Sequence, residues 1–410
     1  MDMKTSCRSC GSFGLELVLS LGSTPLANSL VRDPGQGAEP RYPLDLVFCP
    51  ACTLVQITET VPPEELFSEY LYFSSFSDTM LAHAKDLVGR FVAAGHLGPT
   101  SLAMEIASND GYLLQYYKSA GIPVLGIEPA QNVARVAVEE RGIPTLAEFF
   151  DLAVAKRLCA EGKRADVVHA NNVLAHVADL NGFVAGIREL LKPEGIAALE
   201  FPYLGDMIER CEFDTIYHEH LCYYSLGALN HLFERHGLKI VEVERIPIHG
   251  GSLLLQASRA ESTRAAGPSV AALLAEEHTR GMASIDFYRA FARRVFELKD
   301  ELVALLGRLK GEGKRIAAYG AAAKGSTLLN VFGIGKDTLD FVADRSTYKQ
   351  GRLMPGVRIP IVAPERLREA MPDYTLLLTW NFADEIFRQQ AEYRRLGGRF
   401  ILPLPEVKIV

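Results

Sequence analysis

A chain of 410 residues is longer than one hydrophobic core ordinarily serves, so two or three domains are expected. With 48% hydrophobic and 23% charged residues and no polar low-complexity tract, disorder is excluded as the general state. A net charge of -7 gives no basic surface for nucleic-acid phosphates, so no nucleic-acid partner is expected, although a local basic pocket is compatible with it.

The N-terminus carries Lys4 without a following apolar run, so it does not read as a signal peptide. No stretch approaches the ~18 unbroken apolar residues of a membrane span. A cytoplasmic protein with no membrane partner is the expectation. Of seven cysteines, four fall in C-x-x-C pairs, while Cys159, Cys211 and Cys222 are scattered, which suits a reducing compartment and a metal site better than disulfides.

Residues 1–68 are rich in turns and cysteine, and Pro62-Pro63 marks the exit from this module. Cys7-x-x-Cys10 and Cys49-x-x-Cys52 each turn the chain so that two thiolates point at one ion, and together they supply the four sulfurs of a tetrahedral zinc site. The long interval between the pairs exceeds that of common zinc ribbons, but it contains hairpin-like sequence around Thr24 to Asn28 and Arg41 to Leu44. A closed four-cysteine site has no open coordination position, so the zinc is expected to be structural.

Residues 69–262 read as an α/β domain. Strands are predicted at 101–107, 123–128, 166–170 and 195–201, followed by an antiparallel pair at 238–246 and 252–258 around His249-Gly250-Gly251, closing a seven-strand sheet. The phrase Glu105-Ile106-Ala107-Ser108-Asn109-Asp110-Gly111 ends the first strand, makes a small-residue turn and opens a helix, where open α/β sheets bind ligands. Glu128 ends the second strand, placed to meet a ribose diol. One glycine in the turn is too few for a dinucleotide pyrophosphate, and the polar Ser108, Asn109 and Asp110 suit the amino-acid end of S-adenosylmethionine instead. Asn171 ends a later strand on the same rim, and His176, near a helix start, reads by itself as a satisfied histidine.

After the fifth strand comes Tyr217-His218-Glu219-His220, a density of polar groups that calls for explanation. Alternation in a turned loop predicts Tyr217 and Glu219 on one side and His218 and His220 on the other. A solvated loop and a second metal site are the blander readings. Ser225 is a candidate N-cap for a helix over 226–236.

The stretch 269–309 has helical spacing, giving a connector over 263–300, and 301–410 form a second open sheet with strands at 315–319, 339–344, 374–380 and 399–404. Tyr319-Gly320-Ala321-Ala322-Ala323-Lys324 follows a strand and opens a helix, so small residues clear room for phosphate oxygens and Lys324 adds charge. Asp344, Arg345, Tyr348 and Lys349 end the next strand, and Trp380 and Asn381 a later one; these are the candidate contacts to a base and ribose.

As a set these phrases resemble the antibiotic-sugar 3-C-methyltransferases, which act on thymidine-diphosphate-linked 4-keto-deoxy sugars. The resemblance runs nearly end to end and includes A-N-N-V-L-A-H, F-D-T-I-Y-H-E-H, I-P-I-H-G-G-S-L and D-R-S-T-Y-K-Q-G-R-L-M-P-G. It implies a zinc module, a class I (Rossmann-like) methyltransferase domain using adenosylmethionine, and a C-terminal Rossmann-like α/β domain that carries the nucleotide diphosphate. By motif it places the family's catalytic groups on Tyr72, His176, Tyr217, Glu219 and His220, with His220 as base, Tyr217 or Tyr72 on the enolate oxygen and Glu219 orienting His220. The chain is expected to be a monomer.

The residues alone leave three alternatives open. One is O- or N-methylation of a nucleotide sugar, which the same cofactor fold would serve; another is an NAD(P)-dependent oxidoreductase, against which the glycine-poor turns argue. The third is a non-catalytic zinc-and-nucleotide binding protein, against which the dense Tyr-His-Glu-His cluster argues.

Overall fold

Three antiparallel strands form the N-terminal module: β1 (Glu16–Thr24), β2 (Tyr42–Phe48) and β3 (Val55–Ile57). The fourth strand of this sheet, Cys222–Tyr223, comes from the middle domain, with Val55 opposite Tyr223 and Gln56 opposite Cys222. The computed structural model describes the chain apart from residues 1–4, 34, 36, 63, 64, 67–72, 95, 96 and 249.

The middle domain contains β4 (Ala103–Ile106), β5 (Val124–Ile127), β6 (Thr145–Leu146), β7 (Ala165–Asn171), β8 (Leu191–Pro202), the exported β9 (Cys222–Tyr223), β10 (Leu238–Ile246) and β11 (Ser252–Arg259). The seven-stranded order is β10-β11-β8-β7-β4-β5-β6, and the ladders are parallel except for those on either side of β11. The antiparallel pair expected from sequence is present, but β11 lies inside the sheet and only β10 is an edge. Residues 103–106 and 196–201 are buried or nearly so on both faces, which is why they read as apolar runs and not as alternations. Strand order reverses at β4 and β7, and this switch point creates a crevice at the carboxyl ends of the strands.

Two helices follow, Pro268–Arg280 and Ile285–Gly311. Gly281, at φ 75°, ends the first in a left-handed conformation, and the Ser284 side chain caps the second by accepting from Asp286 N–H. The second helix runs without a break past 300, where the connector was expected to end. One side of it buries Tyr288, Phe291, Val295, Leu298, Leu302, Leu306 and Leu309, and Tyr288 lies 5.1 Å from the ring of Phe48 in the N-terminal module.

The C-terminal sheet has the order β14-β13-β12-β15-β16-β17, built from β12 (Ile316–Tyr319), β13 (Val342–Ala343), β14 (Ile361–Val362), β15 (Tyr374–Leu377), β16 (Arg399–Leu402) and β17 (Lys408–Ile409). Its ladders are parallel except the last. The strand expected over 374–380 stops at Leu377 because Trp380–Phe382 turns into a 3-10 helix. One buried cluster contains Phe48, Leu199, Tyr288 and Phe332, so the three domains share a core and hold one another in register. Among the described residues no helix is long and apolar enough to cross a membrane.

Candidate active site

The four cysteines converge as their spacing requires. Thr53 N–H donates to Cys49 O and Gly11 N–H to Cys7 O, closing each C-x-x-C turn, and Thr53 takes a left-handed φ of 60° to do so. Cys7 Sγ lies 3.5 Å from Cys52 Sγ, Cys10 Sγ lies 3.6 Å from Cys49 Sγ, and all four sulfurs are within 4.8 Å of one another. A tetrahedron with Zn–S bonds of about 2.3 Å places its sulfurs about 3.8 Å apart, so the set fits zinc. Among the described residues this is the only cluster of three or more metal-ligating groups, and the His-x-His of the polar loop has no third ligand.

The cofactor turn leaves β4 with Ala107, Asn109 and Gly111 all in the left-handed region, at φ 54°, 49° and 78°. L residues adopt that conformation at a cost, and the Glu128 carboxylate at the end of β5 helps hold it: Oε2 accepts from Asn109 N–H and Oε1 from Ala130 N–H, each at 2.9 Å. Gly126 is required beside it, since a Cβ there would stand 2.5 Å from Ser108 Oγ. Asn109 Oδ1 accepts from Ser74 N–H at 2.9 Å, and Asp110 lies 3.5 Å from the Arg141 guanidinium. Burial, and then the charges of Asp110 and Glu128, push the Glu105 carboxyl well above the usual range. Buried acids of this kind favour a cationic ligand, and adenosylmethionine carries a sulfonium and an ammonium. Asn171 closes β7 on the same rim with its Oδ1 buried and without a hydrogen-bond partner.

The polar loop does not alternate. His220 N–H donates to Tyr217 O at 2.9 Å, a turn that brings the first and fourth residues together, so Tyr217 OH meets His220 Nε2 at 3.0 Å. His220 Nδ1 is 2.8 Å from the carbonyl of Thr215. A carbonyl can only accept, so Nδ1 carries the proton and Nε2 presents its lone pair to the phenol. The expected contact of Glu219 with His220 is absent: Glu219 Oε1 instead accepts from Asn28 Nδ2 of the N-terminal module at 2.7 Å, and burial pushes its carboxyl up to about 7. His218 faces the Pro43 carbonyl at 3.0 Å. Leu221 N–H donates to Ala175 O, which docks the loop on the turn after β7 and sets the His176 and His220 rings 4.8 Å apart. Burial holds His176 down at about 4. Tyr72 lies outside the described residues. Ser225 caps the helix Leu226–Arg235, as expected.

In the C-terminal domain the sequence candidates divide. Asp344 accepts from Ala321 N–H at 2.7 Å and from Ser346 N–H at 2.8 Å, and Lys349 Nζ donates to Ala321 O at 2.9 Å, so these residues form one rim. Ala322 starts the helix Ala323–Phe332, Asn381 sits in the following 3-10 turn, and Arg345 and Tyr348 are exposed. Tyr319 packs in a core cluster with Phe341, Leu367 and Phe400, and burial and then the charge of Asp344 on the rim push its phenol up. The glycines of the turn are needed for packing: a Cβ on Gly320 would stand 2.4 Å from Thr379 Oγ1, and one on Gly325 2.8 Å from Leu378 Cβ.

Lys324 Nζ sits 4.6 Å from the centre of the Trp380 ring, buried and without a hydrogen-bond partner. Trp380 Nε1 in turn donates to Asp214 Oδ2 at 2.8 Å, and Phe213 stacks on Phe332 at 4.7 Å. The C-terminal domain therefore grips the segment that carries Thr215 and His220. Burial, opposed by the Lys324 charge, pushes Glu212 up to about 8.

Sequence reasoning missed Asn28, Asp214 and the Thr215 carbonyl, and it also missed the pair His83 and Glu200. There His83 Nε2 lies 2.6 Å from Glu200 Oε2, and Asn172 Nδ2 donates to Glu200 Oε1 at 3.3 Å. A carboxylate inside the apolar run of β8 was the available signal for Glu200.

Three family models match in succession: "Putative zinc binding domain" over 7–67, "Methyltransferase domain" over 81–243 and "C-methyltransferase C-terminal domain" over 247–405. The chain is 38% identical over 405 residues to the C-methyltransferase NovU of Streptomyces niveus, which covers 98% of this chain and 96% of that protein. It is 31% identical over 128 residues to a ubiquinone biosynthesis O-methyltransferase of Methylobacterium sp. (strain 4-46), covering 30% of this chain and 50% of that protein. Among solved structures, magnesium protoporphyrin IX methyltransferase from Synechocystis PCC 6803 with bound SAM aligns at a TM-score of 0.34 and 16% identity over 44% of this chain and 79% of that one.

Proposed function

The chain belongs to the S-adenosylmethionine-dependent C-methyltransferase family that includes NovU, and we propose that its acceptor is a nucleotide-diphosphate-linked 4-keto-deoxy sugar, methylated at C-3 through an enolate. Membership sets aside heteroatom methylation and the oxidoreductase reading. The observation that carries the proposal is the contact of Tyr217 with His220 at a seam bounded on one side by the rim of the central sheet and on the other by Trp380 and Lys324.

A proton beside a ketone leaves as its charge spreads onto the carbonyl oxygen, which a positioned neutral imidazole can promote near neutral pH. His220 Nε2 takes that proton, because Nδ1 is committed to Thr215. Tyr217 then turns its hydroxyl from Nε2 to the developing enolate oxygen and stabilises it. Adenosylmethionine held by Glu128 and the turn after β4 would supply the electrophilic methyl of its sulfonium to the enolate carbon, with S-adenosylhomocysteine as the leaving group. His176, neutral above about 4, borders His220 without competing for the proton. Lys324 receives the diphosphate charge, and thymidine diphosphate is the carrier that the family resemblance implies.

The test is a panel of nucleotide-linked 4-keto sugars incubated with adenosylmethionine, with products weighed by mass spectrometry and the new methyl located by NMR. Methylation at C-3 is expected. A methyl found on oxygen or nitrogen, or turnover only of acceptors lacking a ketone, would overturn the assignment.

A further inference from the structure

The interval between the cysteine pairs carries more chain than two metal-binding turns and a hairpin need. β1 and β2 pair from Glu16 opposite Phe48 to Thr24 opposite Tyr42, and residues 25–41 then leave the sheet. This excursion is fastened at three places outside its own module. Asn28 Nδ2 donates to Glu219 Oε1 at 2.7 Å. Val31 exchanges both backbone hydrogen bonds with Leu353 of the C-terminal domain, at 3.0 and 2.9 Å. Glu39 accepts from Arg358 at 3.1 Å and from Gly356 N–H at 3.2 Å. The excursion is thus a strap from the catalytic loop to the C-terminal domain, with both ends set by the zinc-module strands.

We propose that Asn28 is a positioning residue of the active site, holding the Glu219 carboxyl so that the zinc module takes part in catalysis. Glu219 is a sensitive place to hold. It immediately precedes His220, whose ring lies 4.8 Å from that of His176, so a shift of Glu219 displaces His220 and disturbs the packing of the two imidazoles. An amide suits the task. It donates to a carboxyl in either protonation state, whereas a lysine would force ionisation and an aspartate, having no N–H to donate, would have to share a proton with Glu219 or repel it.

The inference rests on the reading that the loop acts on substrate, and two arms of one experiment keep the two apart. Full-length, zinc-loaded Asn28→Ala and Asn28→Asp are compared with the wild-type chain, with zinc content and S-adenosylhomocysteine affinity as controls for folding. In the first arm, hydrogen exchange of the substrate-free protein is expected to rise across 213–224 in both variants and to stay unchanged in β1 and β2. In the second, with whichever nucleotide-linked keto sugar the wild-type chain methylates, kcat is expected to fall about 10- to 100-fold with KM nearly constant. The aspartate should be worse than the alanine; a residue that merely fills space would give the reverse order, since aspartate is the better isostere. Wild-type kcat in Asn28→Asp, or unchanged exchange across 213–224, would overturn the proposal. If the wild-type chain methylates no sugar of the panel, the substrate reading fails, and the exchange arm still decides the role of Asn28.

Discussion

Tyr217 donates its phenol hydrogen to Nε2 of His220 across 3.0 Å, and it does so because the Thr215 carbonyl has already claimed Nδ1. The loop thereby fixes the tautomer of the proposed base before any substrate arrives. Tautomer and ring orientation are the properties a buried carboxylate supplies to catalytic histidines elsewhere. Here a backbone carbonyl supplies them, and Glu219 is left for other work.

Replacing His220 by alanine should lower methyl transfer by about 10²- to 10⁴-fold, the usual range for losing a general base. Affinity for S-adenosylhomocysteine, which we assign to Glu128 and the turn after β4, should be retained in calorimetry. Tyr217→Phe keeps the imidazole but loses the hydroxyl for the enolate oxygen, so it should slow wash-in of solvent deuterium beside the ketone as well as transfer. Near-normal turnover by His220→Ala with both ligands bound would remove His220 from the role of base.

Glu212 gives a pH prediction of definite sign. Burial raises its native carboxyl to about 8 from 4.5, so the folded chain retains a proton that the unfolded chain releases between those values. The associated stability is full below 4.5 and is lost as pH rises through 8, by on the order of 5 kcal/mol in total. Glu212→Gln mimics the neutral form and should therefore melt higher than wild type at pH 9, with the gap shrinking at pH 6. A gap that is constant, or that widens on acidification, contradicts this account.

What the sequence disclosed and what it hid follow from the range of the forces involved. The cysteine pairs were legible because C-x-x-C is itself a geometry, and the turn after β4 because a strand, small polar residues and a helix adjoin there. The facing of Tyr217, Glu219 and His220 was misread because alternation presumes extended chain, whereas a hydrogen bond from His220 N–H to Tyr217 O makes a turn. Strands β6, β14 and β17 have two residues each, too few to display a period. The partnership of Asn28 with Glu219 spans 191 positions and has no local trace.

Loss of the four-cysteine site should be felt beyond the N-terminal module. Metal binding at such sites is folding free energy, and β3, which follows Cys52 closely, pairs directly with β9. Cys49→Ser is expected to reduce bound zinc from one per chain to a small fraction and to lower the melting temperature. It should also increase hydrogen exchange at Cys222 and Tyr223 together with that of β2 and β3. Exchange confined to the first three strands would mean that the interface stands without the metal.

Trp380 is the single tryptophan of the chain, which turns a structural contact into an optical one. Its indole N–H is bonded to Asp214 at 2.8 Å, and one face lies under the Lys324 ammonium at 4.6 Å. An anionic diphosphate that draws Lys324 away changes the field at the ring, so titration with thymidine diphosphate should alter tryptophan emission saturably. Lys324→Ala should weaken that titration by at least about tenfold, since a charge-assisted contact contributes roughly 1.5–3 kcal/mol. In Trp380→Phe the cation keeps an aromatic face, but Asp214 loses its donor. The buried carboxylate then costs about 1–3 kcal/mol, measured as a lower denaturation midpoint at unchanged m. Emission that ignores thymidine diphosphate, alongside calorimetry showing that it binds, would place the diphosphate away from Lys324 and Trp380.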